Sequence, residues 1–201
     1  MITWVNDAEH LQGAPVAANH WIATEIVGVM RRKLSAIGDQ RGSFTELWRA
    51  SQTPAPGVDG MAQANLSRSR AGVLRGMHFH RRQADLWIVV EGRAIAATTD
   101  LRRLARDGPV SVTSQVTEMA TGDALYIPSL VAHGFWALAD LTLMYLVSTE
   151  YDGTDEHGFA WNDPDAAIDW PAGEPIVSDR DRANPTLAEL ARTWDQHSDV
   201  R

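Results

Sequence analysis

The chain has 201 residues, 44% of them hydrophobic and 22% charged, a composition typical of a globular protein with one core. It contains no cysteine, which excludes disulfides, thiolate nucleophiles and cysteine-ligated zinc. Its net charge of −8 argues against binding to a phosphate backbone, so nucleic acid is not an expected partner.

The first residues of the chain show weak hydrophobic patterning. We therefore predict an N-terminal extension over 1–25 and a single domain over 26–201. The N-terminus lacks a basic start followed by an apolar run, which predicts no signal peptide and a cytoplasmic protein. Polar residues interrupt the most apolar region, 130–147, so two strands are expected there rather than a membrane span.

From Ile26 onward, short strand-like runs alternate with turn residues. The predicted strands are 27–34, 43–49, 63–69, 72–80, 86–90, 94–101, 110–118, 124–127, 134–137 and 141–148, with a turn over 38–42 and a surface loop over 51–60. Because no helical pattern separates these runs, we predict an all-β sandwich or barrel. The run 86–90 is continuously apolar and should lie in the core.

The end of the chain has a different pattern. Asn184-Pro185-Thr186 precedes Leu187, Leu190 and Trp194, which are at helical spacing. A polar cap followed by this spacing predicts a short amphipathic C-terminal helix.

Two segments contain the histidine and aspartate residues that are candidates for catalysis or metal binding. In the first, His78 and His80 are two apart on a predicted strand, so their side chains should share a face. Asp85 follows on what we expect to be the next strand of a tight hairpin. The second segment runs from Gly122 through Pro128 and ends at His133.

Both segments, in this order, resemble the two sequence motifs of the cupin superfamily. The resemblance implies a double-stranded β-helix with one site inside the barrel. In metal-binding cupins the matching positions hold one ion; here they are His78, His80, Asp85 and His133. Aspartate stands where glutamate is usual, and Leu130 stands where the second motif normally has glycine.

A second resemblance is more specific and extends from about residue 26 to 190. Five sequence segments together resemble the dTDP-4-dehydrorhamnose 3,5-epimerase family: Asp39-x-Arg41-Gly42, Gln63-x-Asn65-x-Ser67, Leu74-Arg75-Gly76-Met77-His78-Phe79, Ala132-His133-Gly134-Phe135 and Trp161-Asn162-Asp163. The resemblance also implies a cupin barrel. It further implies a nucleotide-linked 4-keto-6-deoxy sugar as substrate, a role in deoxysugar biosynthesis, no cofactor and no membrane partner, and a homodimer that exchanges N-terminal strands.

The resemblance also implies roles for individual residues. His78 falls on the catalytic base, Asp181 on the aspartate that orients it, and Tyr145 on the acid at the opposite face of the sugar. The substrate-binding positions fall on Arg41, Glu46, Gln63, Asn65, Arg75, His133 and Arg180. These types suit the reaction, because an imidazole held by a carboxylate is a competent base near neutral pH and arginine forks bind diphosphate well.

Two departures from the family pattern fall on the two additional metal-ligand positions. Asp85 replaces a family lysine that lies close to the substrate ketone, and His80 replaces a glutamine. Loss of one donor to a developing enolate typically costs about 10²–10³-fold in rate. Lys33, the only lysine, lies too early in the chain to be a direct replacement, whereas Arg75 or a bound divalent ion could compensate.

Three functional hypotheses therefore remain. The first is an isomerase, epimerising the sugar nucleotide at C3, C5 or both. The second is a metal-dependent cupin enzyme on an epimerase-like scaffold, holding one Fe, Mn, Ni or Zn ion with His78, His80, Asp85 and His133. The third is a non-catalytic small-molecule binding module that has kept the cavity and lost the lysine.

Overall fold

The computed structural model describes residues 20–52, 54, 60–104 and 109–194, and within them the regular secondary structure is almost entirely antiparallel strand. The strands are β1 Ile22–Ala23, β2 Met30–Lys33, β3 Ala36–Asp39, β4 Gly42–Thr45, β5 Gln63–Ser69, β6 Leu74–Phe79, β7 Asp85–Glu91, β8 Arg93–Asp100, β9 Thr113–Ala120, β10 Asp123–Ile127, β11 Val131–Ala137, β12 Leu141–Val147 and β13 His157–Gly158. The helices are α1 Asp179–Arg182 and α2 Leu187–Arg192, and single 3-10 turns occur at Ala50–Gln52 and Gly153–Asp155.

Two sheets form the barrel. The six-stranded sheet has the order β1-β2-β10-β7-β12-β5, and the five-stranded sheet has the order β13-β6-β11-β8-β9. Strands β3 and β4 form a separate hairpin. Neighbouring strands in each sheet are mostly distant in sequence, and this crossing pattern is that of a double-stranded β-helix, as predicted.

The main core lies between the sheets. Trp87 and Leu143 from the six-stranded sheet pack with Ala96 and Phe135 from the five-stranded sheet. All seven residues of β11 are buried, and so are the first five of β7. This confirms the core position predicted for 86–89, whereas Val90, also predicted to lie in the core, is 39% exposed. Strands buried on both faces read as continuous apolar runs rather than as alternating ones.

A second cluster attaches the end of the chain to the outer face of the five-stranded sheet. Leu187 and Ala191 of α2, with Trp194 beyond it, pack against Met77 and Phe79 of β6. The helix begins with a capping box in which the Thr186 hydroxyl accepts from the backbone of Glu189 and the Glu189 carboxylate accepts from the backbone of Thr186. The predicted C-terminal helix is thus confirmed, although it ends at Arg192.

The hairpin predicted to join His80 and Asp85 is wrong. Strand β6 belongs to the five-stranded sheet and β7 to the six-stranded sheet, so residues 80–84 pass from one sheet to the other. A short polar connection fits either arrangement, and only the long-range pairing of β6 with β11 and of β7 with β10 and β12 decides between them.

The start of the barrel differs in detail from the prediction. Strand β2 begins at Met30 instead of residue 27, and Ile22–Ala23 already pairs with it. The β3–β4 hairpin spans most of 36–45 with its turn at residues 40 and 41. Residues 1–19 lie outside the described residues, so the domain division at residue 25 remains a prediction.

No helix in the described ranges is long and apolar enough to cross a bilayer.

Close backbone contact between β6 and β11 depends on two glycines. A Cβ at Gly76 would lie 2.6 Å from the Cα of Gly134, and the φ of Gly76 is +134°. Such a φ lies in a region that glycine adopts and L-residues rarely do. The contact fixes the backbone two residues before His78.

We predict that Gly76→Ala lowers the free energy of unfolding by at least about 2 kcal/mol, because it combines backbone strain with a clash against Gly134. Chemical denaturation followed by tryptophan fluorescence measures the effect. Gly72→Ala is the control, since Gly72 also has a positive φ but a Cβ there would meet no other atom within 4 Å. Equal losses in the two variants would contradict the role of the close contact.

Candidate active site

One cavity of about 310 Å³ gathers most of the residues singled out from the sequence. This size lies at the lower end of small-molecule sites. The predicted site residues that line it are Gln63, Asn65, Arg75, His78, His80, Asp85, His133, Tyr145 and Arg180. They come from both sheets and from α1, so the barrel brings together residues that are more than 100 positions apart.

The imidazole of His78 is held from behind by a buried carboxylate. His78 Nε2 lies 2.7 Å from Asp181 Oδ1, and the side chain of Asp181 is 5% exposed. The other oxygen, Oδ2, accepts a hydrogen bond from the backbone N–H of Gly76 at 3.2 Å. Asp181 itself is placed in α1, where its backbone N–H bonds the capping hydroxyl of Ser178.

This arrangement fixes the tautomer of His78. A carboxylate only accepts hydrogen bonds, so the proton of the neutral ring lies on Nε2 and the lone pair lies on Nδ1. We assign this tautomer from the hydrogen bonds, as hydrogen positions require. His78 is then a base whose free nitrogen is Nδ1.

The pKa of Asp181 is lowered. Burial raises it, but the hydrogen bond and charge of His78, the Gly76 N–H and the charge of Arg180 together lower it further. The carboxyl is therefore ionised near neutral pH. An ionised Asp181 stabilises the imidazolium that forms when His78 accepts a proton.

A second cluster lies in the same cavity. His133 Nε2 is 3.0 Å from Asp85 Oδ2, and His80 Nε2 is 3.8 Å from the same oxygen. Burial lowers the pKa of His80, and the neighbouring His133 lowers it further. In this region Gln83 also donates a hydrogen bond to Asp85 Oδ1 at 2.9 Å.

Three of the four predicted metal ligands lie close together. Only His80, Asp85 and His133 place ligand atoms within 4.8 Å of one another among the described residues. His78 is not part of this group and bonds Asp181 through Nε2. The structure therefore separates a histidine suited to proton transfer from a group suited to a cation.

Tyr145 and Arg75 complete the cavity wall. Tyr145 lies on β12 directly opposite Asn65 on one side and Trp87 on the other. Burial raises the pKa of Tyr145, and the charge of Asp85 raises it further, so the phenol stays protonated. Arg75 is anchored by a 3.0 Å hydrogen bond from Nε to the Ser69 hydroxyl.

Two predicted substrate-binding residues, Arg41 and Glu46, do not line the cavity of their own chain. Arg41 pairs with Asp39 at the tip of the β3–β4 hairpin, and Glu46 pairs with Arg49 just beyond it. The hairpin also exposes two large apolar side chains, Ile37 at 51% and Phe44 at 66%.

Several cavity residues were missed by the sequence analysis. Glu156 accepts a 2.8 Å hydrogen bond from Arg180 and a 3.3 Å hydrogen bond from the Tyr151 hydroxyl. Glu156 and Tyr151 both lie at the rim of the cavity. They lie in the irregular segment after β12, where the sequence has no periodicity. Trp87 was assigned to the core alone, although its indole also packs edge-on against the His133 ring.

A larger groove of about 590 Å³ lies between β2, β9 and residues 167–169. It is a wide surface groove without a histidine, and none of the predicted site residues lines it. Its size alone does not make it the better candidate, because convergent polar groups distinguish a functional site.

Residues 23–189 match the family model described as dTDP-4-dehydrorhamnose 3,5-epimerase. An epimerase of that name from Streptomyces griseus is 37% identical over 178 residues, covering 83% of this chain and 86% of that protein. The structure of NovW, a 4-keto-6-deoxy sugar epimerase from the novobiocin gene cluster of Streptomyces spheroides, is 33% identical with a TM-score of 0.75, covering 87% of this chain and 90% of that one. ChmJ, a 3'-monoepimerase from Streptomyces bikiniensis solved with dTDP-quinovose, is 30% identical with a TM-score of 0.75, covering 85% and 89% respectively.

We predict that Asp181→Asn destabilises the protein by about 1–3 kcal/mol at pH 7, because a buried charge-assisted hydrogen bond is lost. A carboxyl with a lowered folded-state pKa contributes stability above its unfolded pKa and loses it as the pH falls through the folded value. The difference between wild type and variant should therefore shrink below about pH 4.

Urea unfolding at pH 7 and near pH 3.5 measures this difference. Asp179→Asn is the control, since Asp179 lies on the same helix and is exposed. A stability difference for Asp181→Asn that is the same at both pH values would contradict the assigned ionised state.

Proposed function

The chain belongs to the dTDP-4-dehydrorhamnose 3,5-epimerase family, and we propose that it epimerises a nucleotide-linked 4-keto-6-deoxy sugar with His78 as base and Tyr145 as acid. The observation that carries these roles is the His78–Asp181 pair, whose imidazole borders the same cavity as the Tyr145 phenol. This function makes the chain an isomerase.

The reaction follows from the position of the ketone. C3 and C5 both flank C4, so loss of a proton from either carbon gives an enolate. His78 takes that proton on Nδ1 and becomes an imidazolium, which ionised Asp181 stabilises through Nε2. Tyr145 then gives its proton to the opposite face of the same carbon, and the centre is inverted. The imidazolium releases its proton and the phenolate regains one, so no proton is gained or lost overall.

Arginines supply positive charge for the substrate. Arg75 and Arg180 line the cavity, and Arg180 bridges to Glu156 at the rim. Guanidinium groups bind phosphate oxygens in a bidentate manner, so these residues suit the diphosphate of a sugar nucleotide. Gln63 and Asn65, joined by a 2.8 Å hydrogen bond, offer neutral donors on the neighbouring edge strand.

We further propose that the active form is a homodimer. Arg41 lies on an exposed hairpin, away from the cavity of its own chain, and the hairpin carries the exposed Ile37 and Phe44. Strand β5 is an edge of its sheet and exposes Leu66 by 54%. An unpaired strand edge and apolar side chains favour association with another chain, and a second copy could bring Arg41 to the cavity.

The first test separates proton removal from inversion. In D₂O, a dTDP-linked 4-keto-6-deoxyhexose is followed by NMR for deuterium at C3 and C5 and for the epimerised product. We expect His78→Gln to lower the rate of deuterium incorporation and the rate of product formation by about 10²–10⁴-fold, because the base is lost. Tyr145→Phe should keep deuterium exchange but lose inversion, since the enolate can be reprotonated only from the His78 side.

Asn65→Ala, a change in the cavity wall outside the proton-transfer pair, is the matched control and should mainly weaken substrate binding. Undiminished exchange in His78→Gln would exclude His78 as the base.

The second test addresses the dimer. Arg41→Ala and His78→Gln are each prepared alone and are then mixed under conditions that allow subunit exchange. If Arg41 serves the cavity of the other chain, a mixed dimer contains one intact site, and up to about a quarter of wild-type activity should return because about half the dimers are mixed and each has one site of two. Light scattering gives the mass of each species. No recovery on mixing, with exchange verified, would place Arg41 outside the partner's site.

A further inference from the structure

The cavity is charged differently at its two ends. At the rim, the side chain of Arg180 is 55% exposed and pairs with Glu156. The carboxylate of Asp85 also lines the cavity but is only 3% exposed, and its ion pairs in the described part of the chain are with His80 and His133. The cavity is therefore bordered by a guanidinium at its mouth and, at its inner end, by a carboxylate that pairs with no described lysine or arginine.

Two side chains hold the carboxylate of Asp85 in place. Gln83 Nε2 donates a hydrogen bond to Oδ1 at 2.9 Å, and His133 Nε2 lies 3.0 Å from Oδ2. A carboxylate only accepts, so His133 Nε2 carries a proton, and about four acceptor sites on the carboxylate leave room for a further donor. Arg75, the other arginine of the cavity, is bound to β5 instead, where its Nε donates to the Ser69 hydroxyl at 3.0 Å.

His80 provides a second acceptor beside that carboxylate. Its Nδ1 lies 2.8 Å from the backbone carbonyl oxygen of Asp155. A carbonyl only accepts, so the neutral ring has its proton on Nδ1 and its lone pair on Nε2. His80 Nε2 lies 3.8 Å from Asp85 Oδ2, which is too far for a hydrogen bond between them. The two atoms are therefore neighbouring acceptors at the wall of the cavity.

This pair of acceptors discriminates between ligand groups by the number of hydrogens they carry. A donor atom about 2.9 Å from each acceptor fits between two atoms that are 3.8 Å apart. A sugar hydroxyl has one hydrogen and donates to one acceptor only, whereas an amino group has two hydrogens as the free amine and three as the ammonium ion. A group that displaces bridging water keeps its affinity only when it reproduces the hydrogen bonds of that water. The ammonium form also offsets the charge of the buried carboxylate.

The inner end of the cavity adjoins the residues proposed to move protons. His133 is directly opposite His78 in the β6–β11 pairing. Asp85 and Trp87 are two apart on β7, so their side chains share a face of the strand, and Trp87 is directly opposite Tyr145. A group bound at Asp85 therefore lies beside the reacting part of the sugar.

The structure of the sugar limits where such an amino group is attached. In a nucleotide-linked 4-keto-6-deoxy sugar, C1 carries the diphosphate, C4 the ketone oxygen and C5 the methyl group. Only C2 and C3 remain free to carry an amino group. C3 is next to the ketone and is one of the two carbons from which His78 can remove a proton, so its substituent is the one that reaches the inner end of the cavity.

We infer that the substrate is an amino sugar, a nucleotide-linked 4-keto-6-deoxy sugar whose C3 amino group is bound by Asp85 and His80. The inference rests on the proposed function, because it specifies the sugar on which that reaction acts. The diphosphate lies toward Arg180 at the rim and the amino group toward Asp85, so the two charges of the substrate match the two ends of the cavity. The substrate then brings its own positive charge close to the oxygen on which the enolate develops negative charge.

Binding without turnover tests the inference. Two stable ligands that lack the ketone, dTDP-3-amino-3,6-dideoxyglucose and dTDP-6-deoxyglucose, differ only in the group on C3 and are compared by isothermal titration calorimetry. EDTA is present throughout, so that a bound metal ion does not contribute. We expect wild type to bind the amino ligand about 10–100-fold more tightly, because hydrogen bonds between charged groups are the strong ones.

Three variants locate the source of this preference. Asp85→Asn keeps the shape of the side chain and removes its charge, so the preference should fall below about 3-fold. His80→Leu removes the second acceptor and should also reduce the preference. Asp152→Asn is the matched control, because Asp152 lines the same cavity but already pairs with Arg82 at 2.7 Å, and it should keep the preference of wild type. Circular dichroism checks that each variant is folded.

The wild-type measurement is decisive even where a variant does not fold. Equal affinities of wild type for the two ligands, or tighter binding of the hydroxyl ligand, would overturn the inference. An unchanged preference in folded Asp85→Asn would also overturn it, since the amino group would then be bound elsewhere.

The deuterium-exchange assay separates this result from the proposed function. A preference for the amino ligand, with no deuterium uptake from D₂O into the corresponding 3-amino-4-keto sugar nucleotide, would contradict the epimerase reaction and leave the amino-binding site intact. Deuterium uptake into the 3-hydroxy substrate, in protein that binds both ligands equally, would contradict the amino-binding site and leave the epimerase reaction intact.

Discussion

The arrangement of the cavity depends on one buried carboxylate. Asp181 accepts from the ring of His78 through one oxygen and from the backbone of Gly76 through the other, so it holds both the base and the strand that carries it. The close approach of β6 to β11 at this point is possible because positions 76 and 134 are both glycine. Asp181 therefore connects the backbone position of Gly76 with the proton affinity of the His78 ring.

The connection between β6 and β7 places different chemistry on the two sheets. His78 and His133 are paired across β6 and β11 of one sheet, whereas Asp85 begins β7 of the other sheet. Residues 80–84 cross between them and are held by Asp155, whose carboxylate accepts from the backbone of Arg81 and Arg82. The His80–Asp85–His133 cluster thus lies between the two sheets. The distances between its side chains therefore depend on how the sheets are placed relative to each other.

Much of the fold could be predicted from the sequence because buried strands leave a clear pattern. Strand β5 has the predicted limits of 63–69, and the apolar run of β7 lies in the core over 86–89 as expected, with Val90 exposed. Long-range pairing leaves no local signal, so the change of sheet after β6 was wrongly predicted as a hairpin. The four-residue α1 is too short to show helical periodicity, and Asp181 was therefore placed by family resemblance alone. Arg41 could be named from its motif, but a single sequence does not reveal that it lies away from its own cavity.

The distance along the chain between His78 and Asp181 has a consequence for synthesis on the ribosome. The two residues are 103 positions apart, and Asp181 follows the last strand of the barrel. A chain is made from its N-terminus, and domains begin to fold in that order. The nascent protein can therefore complete both sheets while the base still lacks its carboxylate. Assembly of the reactive pair becomes a late event, after the scaffold that will contain it has formed.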